Sequence, residues 1–185
     1  MRTLITGSPD RVEALAKAFE SAGDDPVTLD QLGPETGSID RYVQLGTTVP
    51  ARGETVVRRV QSFLSDGLLE RFVLAERVLP LLSDGATVLL VAGNLSSESA
   101  VPDDRAARLL MLRLLAHAIR ADLTPRRVRV RVITGDRPDD QLVQFALSGG
   151  KDPLVEVPAT GSELDSTLSY SDWRIEVLGM AQVEV

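Results

Sequence analysis

Apolar positions along this chain follow two rhythms that alternate. Short runs with period two, or with no polar break, are separated by longer stretches in which apolar residues recur every three or four positions, the spacings of strands and helices. Thr3–Thr6 predicts a short strand ending at Gly7. Pro9-Asp10 then opens a helix to about Ser21, with Val12, Leu15, Ala16 and Phe19 on one face and Gly23 as its stop signal. Pro26–Asp30 is a second strand, so the chain opens as a βαβ unit.

Gln31–Ser38 is a polar loop, Arg41–Leu45 a third strand, and Thr47–Gly53 a further loop. Glu54–Leu64 and Leu68–Leu82 read as helices, or as one helix interrupted near Gly67, with an apolar stripe of Leu64, Leu68, Phe72, Ala75 and Leu79. Ser83-Asp84-Gly85 is a turn signal. Ala86–Ala92 is an unbroken apolar run, as in a strand covered on both faces. After the polar loop Gly93–Pro102, a helix is expected from about Asp103 to Leu123. Leu109, Leu110, Met111, Leu112, Leu114, Leu115, Ala118 and Ile119 make it apolar almost all round, which calls for two burial partners: the sheet and a second subunit. Arg127–Thr134 is the next strand, Asp139–Leu147 a short helix, and Trp173, Ile175 and Val177 recur at period two before a final Gln182–Val185 run. Strands alternating with helices imply a three-layer α/β fold with a mostly parallel sheet, and 185 residues suit a single domain spanning 1–185.

Composition narrows the chemistry. Aromatics are 4% of the chain, so the core is aliphatic. With no cysteine, disulfides, thiolate zinc sites and a thiol nucleophile are excluded, and with His117 alone a histidine metal cluster is not expected. The net charge of −7 argues against nucleic acid, whose binding depends on cationic side chains. Neither a leader pattern nor an apolar run of about 18 residues is present, so a cytoplasmic protein without a membrane span is the expectation.

Three stretches carry a family likeness. Leu68–Leu82 (LLERFVLAERVLPLL), Gly85–Val91 (GATVLLV) and Ala116–Val132 (AHAIRADLTPRRVRVRV), with Thr6-Gly7 after the first strand, together resemble the short-chain dehydrogenases/reductases over about two-thirds of the chain. The resemblance implies a Rossmann-like, doubly wound sheet, shortened here because the region between Asp30 and Arg41 lacks a strand–helix pair. It also implies a dinucleotide site, and Gly7 matches the first glycine of the family's TGxxxGxG loop. The second and third glycine positions fall on Arg11 and Glu13, whose side chains crowd a pyrophosphate and, at Glu13, oppose its charge. Asp30 stands where an acid meets an adenosine ribose, or is simply a strand-ending turn residue. The family's serine position falls at Ala92 or Gly93, its tyrosine near Arg105, its lysine near Leu109 and its helix-interrupting asparagine near Gly67. Ser96, Ser97 and Ser99 lie close enough to offer a displaced serine. The Tyr-x-x-x-Lys pair is missing under any alignment: Tyr42 and Tyr170 are followed four residues later by Gly46 and Arg174, and the lysines are Lys17 and Lys151. Hydride transfer of the family's kind therefore has no proton donor.

Other constellations have plain readings beside the functional ones. Arg113, His117 and Arg120 share a helix sector, as an anion site or a polar stripe. Arg126, Arg127, Arg129 and Arg131 form a basic run without interleaved aromatics, which suits pairing with nearby acids better than nucleic acid. Asp103-Asp104 and Asp139-Asp140 are explained by helix amino-terminal capping rather than a metal.

The expectation is a degenerate relative of the family with no catalytic residues and no cofactor, acting through assembly. The resemblance implies that the 68–82 and 103–123 helices pair across a two-fold axis, as a homodimer or with an active family member. The alternative is an atypical NAD(P)-dependent oxidoreductase or small-ligand binder with a rebuilt site. Its ligand, a nucleotide or small acid, would sit between Gly7–Arg11, Gly93–Ser99 and Gly135-Asp136, with Arg11 or Arg105 on an anionic group.

Overall fold

In the computed structural model, five parallel strands form one sheet in the order β2-β1-β3-β4-β5. Residues 1–33, 36–46, 53–62, 65, 69–91, 102–133 and 138–148 are described, and for 59–60, 102–111 and 113 the backbone alone. The strands are β1 (Arg2–Thr6), β2 (Asp25–Thr28), β3 (Ile39–Gln44), β4 (Leu82–Val91) and β5 (Arg129–Ile133). The helices are α1 (Pro9–Ser21), α2 (Val56–Ser62), α3 (Glu70–Val78), α4 (Pro102–Leu123) and α5 (Asp139–Leu147).

Two apolar clusters, one on each face of the sheet, explain the unbroken apolar runs. Leu4, Tyr42, Val88, Leu90, Val130 and Val132 face α3 and α4. Their alternates Ile5, Val43, Leu89, Val91 and Ile133 face α1 and α5. This is a three-layer, doubly wound, Rossmann-like arrangement. It is shortened where expected: β2 leads to β3 through a 3-10 turn (Leu29–Gln31) and a loop, from which Leu32 packs onto the first cluster.

Three expectations are corrected. Ser83-Asp84-Gly85 does not precede a strand but lies within β4, which begins at Leu82. Ile39 pairs with Leu82 while Arg41 pairs with Thr87, so the turn signal marks a bulge, with Gly85 at φ 76°. The strand predicted from Arg127 starts at Arg129, because Arg127 is a left-handed cap (φ 55°) on the 3-10 turn Thr124–Arg126. The buried face of α3 is Arg71, Ala75 and Val78, with Phe72 and Leu79 only part-buried, so the apolar stripe is turned by about one residue from the one read in sequence.

The sheet's amino end is held by polar bonds. Asp24, just before β2, accepts from Thr3 Oγ1 at 2.5 Å and from Arg41 Nη1 at 2.6 Å. Burial opposes its ionisation, but hydrogen bonds from Thr3, Arg41 and the Met1 amino group outweigh that, so its pKa lies below the ordinary carboxyl value. Asp40 accepts from the Arg2 backbone N–H at 2.9 Å and from Ser83 Oγ at 3.0 Å, bridging β1 and β4 across β3.

Candidate functional site at the carboxyl ends of the strands

Ligands of open parallel sheets sit outside the carboxyl ends of the strands where the winding direction reverses, here between β1 and β3. Gly7 follows β1 at φ 143°. A Cβ built there would stand 2.6 Å from Leu45 Cβ, and the Leu45 N–H donates to Thr6 O at 2.7 Å. The glycine is thus required by the close approach of β3, whatever else binds nearby.

α1 begins two residues later, with Ser8 as an extended cap whose side chain makes no capping bond. Arg11 is part-buried, its Nε 3.7 Å from Asp139 Oδ1 on α5. Asp139 and Asp140 occupy the first turn of α5 while Pro138 holds the cap position, so they favour the helix by charge rather than by a side-chain cap. Glu13 is exposed and accepts from Lys17 at 2.7 Å, a bond that lowers its pKa. Among the described residues, the start of α1 thus presents an ion-paired arginine and a glutamate where a pyrophosphate cradle needs bare backbone N–H groups.

Asp30 lies in the exposed turn after β2. It accepts from Thr28 Oγ1 at 2.5 Å, and that bond, with one from its own backbone, lowers its pKa. Gly7, Arg11 and Asp30 therefore lie on the carboxyl side of neighbouring strands β1 and β2. Gly93, Ser96, Ser97, Ser99, Gly135, Asp136 and the Trp173–Val177 segment lie outside the described residues, as does the Arg105 side chain.

Behind this rim is a polar network that sequence reasoning did not single out. Arg71, on α3 and 4% exposed, donates from Nε to Gln44 Oε1 at 2.9 Å. Its Nη2 donates to the carbonyls of Gln44 (3.1 Å), Leu45 (3.4 Å) and Val91 (2.8 Å), the last residues of β3 and β4 and the one after β3. Gln44 Nε2 returns bonds to Arg71 O at 2.9 Å and to Tyr42 OH at 3.0 Å. Tyr42 OH lies 3.2 Å from Thr6 Oγ1. A guanidinium suits this place because its fork of donors meets carbonyls where parallel strands end. The available signal was periodic: Arg71 precedes Ala75 and Val78 by one and two helical turns and so stands at a core position.

Burial raises the Tyr42 pKa, although the bonds to Thr6 and Gln44 and the charge of Arg71 pull the other way. The phenol is fully buried and stays neutral, so it is not placed to give a proton to a substrate. A cleft of about 260 Å³ lies elsewhere, beside edge strand β2, between Arg2, Asp25, Pro26, Val27, Gln31 and Thr36.

Of the remaining candidates, Arg120 Nη2 donates to Val130 O at 3.3 Å, tying α4 to β5. In the basic run, Arg126 pairs with Asp84 at 3.1 Å. No helix among the described residues is long and apolar enough to cross a membrane.

No family model matches the chain, and no curated protein matches it. Among solved structures it is similar to one titled "The structure of BdcA (YjgI) from E. coli". That alignment has a TM-score of 0.46 and 16% identity over 78% of this chain and 75% of the other.

Proposed function

We propose that this protein is a non-catalytic, short-chain-dehydrogenase-like subunit of the cytoplasm that acts by self-association or by association with an active relative. The observation that carries the reading is the apolar surface left on the helical layer of α3 and α4. Leu69, just before α3, is 51% exposed, Val73 on α3 55%, and Leu114 on α4 38%. Leu69 and Val73 are one turn apart, and Ala118 lies exposed one turn beyond Leu114. Meanwhile Leu112, Leu115, Ala116 and Ile119 bury the opposite side of α4 against the sheet. Two apolar sides on one helix are what an interface requires. The missing Tyr/Lys pair and the side chains in the glycine-loop positions support a role without hydride transfer.

Light scattering across a hundredfold range of concentration tests this. The expected result is a dimer that dissociates when Leu69 and Val73 are both changed to serine. A protein that stays monomeric throughout, and that recovers no partner in pull-down, overturns the reading. Calorimetric titration with the four nicotinamide dinucleotides is expected to give no micromolar binding. Micromolar binding would instead favour the rebuilt-site alternative on Gly7, Arg11 and Asp30.

A further inference from the structure

We infer that the outer edge of β2 is closed to strand addition, and that Gln31 closes it by standing where the next strand's carbonyl would be. Among the described residues β2 ends the sheet order, with β1 as its one neighbour. An edge strand presents unpaired backbone groups with which another chain can pair. Here the register decides which residues present them. The Asp25 N–H donates to the Met1 carbonyl at 2.9 Å, and Arg2, Thr3, Leu4 and Ile5 pair in turn with Asp25, Pro26, Val27 and Thr28. In a parallel ladder alternate residues turn both backbone groups to the same neighbour. Asp25 and Val27 therefore face β1, while Pro26 and Thr28 face outward.

Neither outward residue offers a donor. Pro26 has no N–H. The Thr28 N–H donates to Gln31 Oε1 at 2.8 Å, because the 3-10 turn Leu29–Gln31 folds that side chain back onto the strand end. Asp24, the next residue in the same alternation, gives its N–H to the Phe19 carbonyl at 3.0 Å. Cover is not what closes the edge. The cleft of about 260 Å³ runs beside Asp25, Pro26 and Val27, so the backbone can be reached. The loop bordering that cleft is tethered by Arg2, which donates to the Thr36 carbonyl and, at 2.9 Å, to Asp25. An incoming strand would find carbonyls but no donors, and its own carbonyls would lose water without gaining a bond. This device is independent of the association reading, since α3 and α4 cover a face of the sheet and not this edge.

Restoring the donors one at a time tests the inference. Gln31→Met keeps the length of the side chain but removes its acceptor, and Gln31 is exposed, so the fold should tolerate the change. Amide hydrogen exchange followed by NMR is expected to show the Thr28 N–H exchanging about tenfold faster in Gln31→Met. Gln31→Glu keeps an acceptor and should leave that rate close to the wild-type value. The double variant Pro26→Val/Gln31→Met frees both outward donors. It should assemble with the infrared amide I band of intermolecular β-structure, at concentrations where wild type and Gln31→Glu show none. Within that assembly, residues 2–6 and 39–44 should keep their exchange protection, read by mass spectrometry, because a folded sheet is what pairs. An unchanged Thr28 rate in Gln31→Met overturns the role given to Gln31. A double variant with no intermolecular band, or one that assembles only with β1 and β3 unprotected, overturns the closed edge.

Discussion

Replacing Arg71 with methionine should destabilise the fold by about 3 kcal/mol, even though the new side chain is apolar, unbranched and of similar volume. The guanidinium serves the carbonyls of Gln44, Leu45 and Val91 and the side chain of Gln44 from a site that water barely reaches. Methionine fills the space and leaves those acceptors short of donors, at about 1–3 kcal/mol for each one that finds no other partner. For a chain of this size, 3 kcal/mol corresponds to a fall of about 6–12 °C in Tm. Arg71→Lys keeps the charge but not the fork of donors, so it should recover only part of the loss. Thermal unfolding followed by far-UV circular dichroism measures both. A methionine variant within about 1 kcal/mol of wild type would show that the strand ends do not depend on this residue, since surface-level changes are of that size.

Loss of the Asp24 carboxylate should have the second large effect, and it carries a pH signature. Arg41 is 6% exposed and its Nη1 lies 2.6 Å from Asp24. Removing one member of a buried pair strands the other, so Asp24→Asn should cost about 3–5 kcal/mol at neutral pH. The folded state lowers the pKa of Asp24 below its unfolded value. The stabilisation is therefore complete above the unfolded pKa and is lost as pH falls through the lower, folded one. The gap in urea-unfolding free energy between wild type and Asp24→Asn should be full at pH 7 and close in strongly acidic solution. A gap that is small at pH 7, or that does not change with pH, would contradict the role given to this pair.

The two networks stand at opposite ends of the sheet and do different work. The Asp24–Arg41–Thr3 cluster joins β1, β3 and the approach to β2 at their amino ends. The Arg71–Gln44–Tyr42–Thr6 network ties α3 to the carboxyl ends of β3 and β4 and reaches β1. By fixing α3 from beneath, the second network also decides which of its side chains face outward. Leu69, Glu70, Val73 and Arg77 are presented because Arg71, Ala75 and Val78 are held inward.

Much of the fold was legible along the chain, because strand and helix periodicity follow from how often a side chain returns to the core. The ranges of α1 and α5 were readable to the residue, since Pro9 and Asp139 mark their starts by local chemistry. The run around Leu89 gave away a strand covered on both faces, because nothing polar interrupts it. The bulge at Ser83–Gly85 was misread as a turn, since a glycine with positive φ has the same local preference in either setting and only pairing with Ile39 and Arg41 distinguishes them. The site was less legible still. Gly7 stands out in the sequence as a loop glycine, but its reason, the approach of Leu45, comes from a residue 38 positions away. Helical period puts Arg71 at a core position, one and two turns before Ala75 and Val78, but it does not say what the guanidinium bonds. Only the meeting of α3 with two strand ends turns it into a buried donor, because hydrogen-bond demand at a strand terminus depends on the neighbours that assemble around it and not on local order. Periodicity specifies which elements form and which face is greasy; the partners of a polar group are chosen across distance, when the layers close.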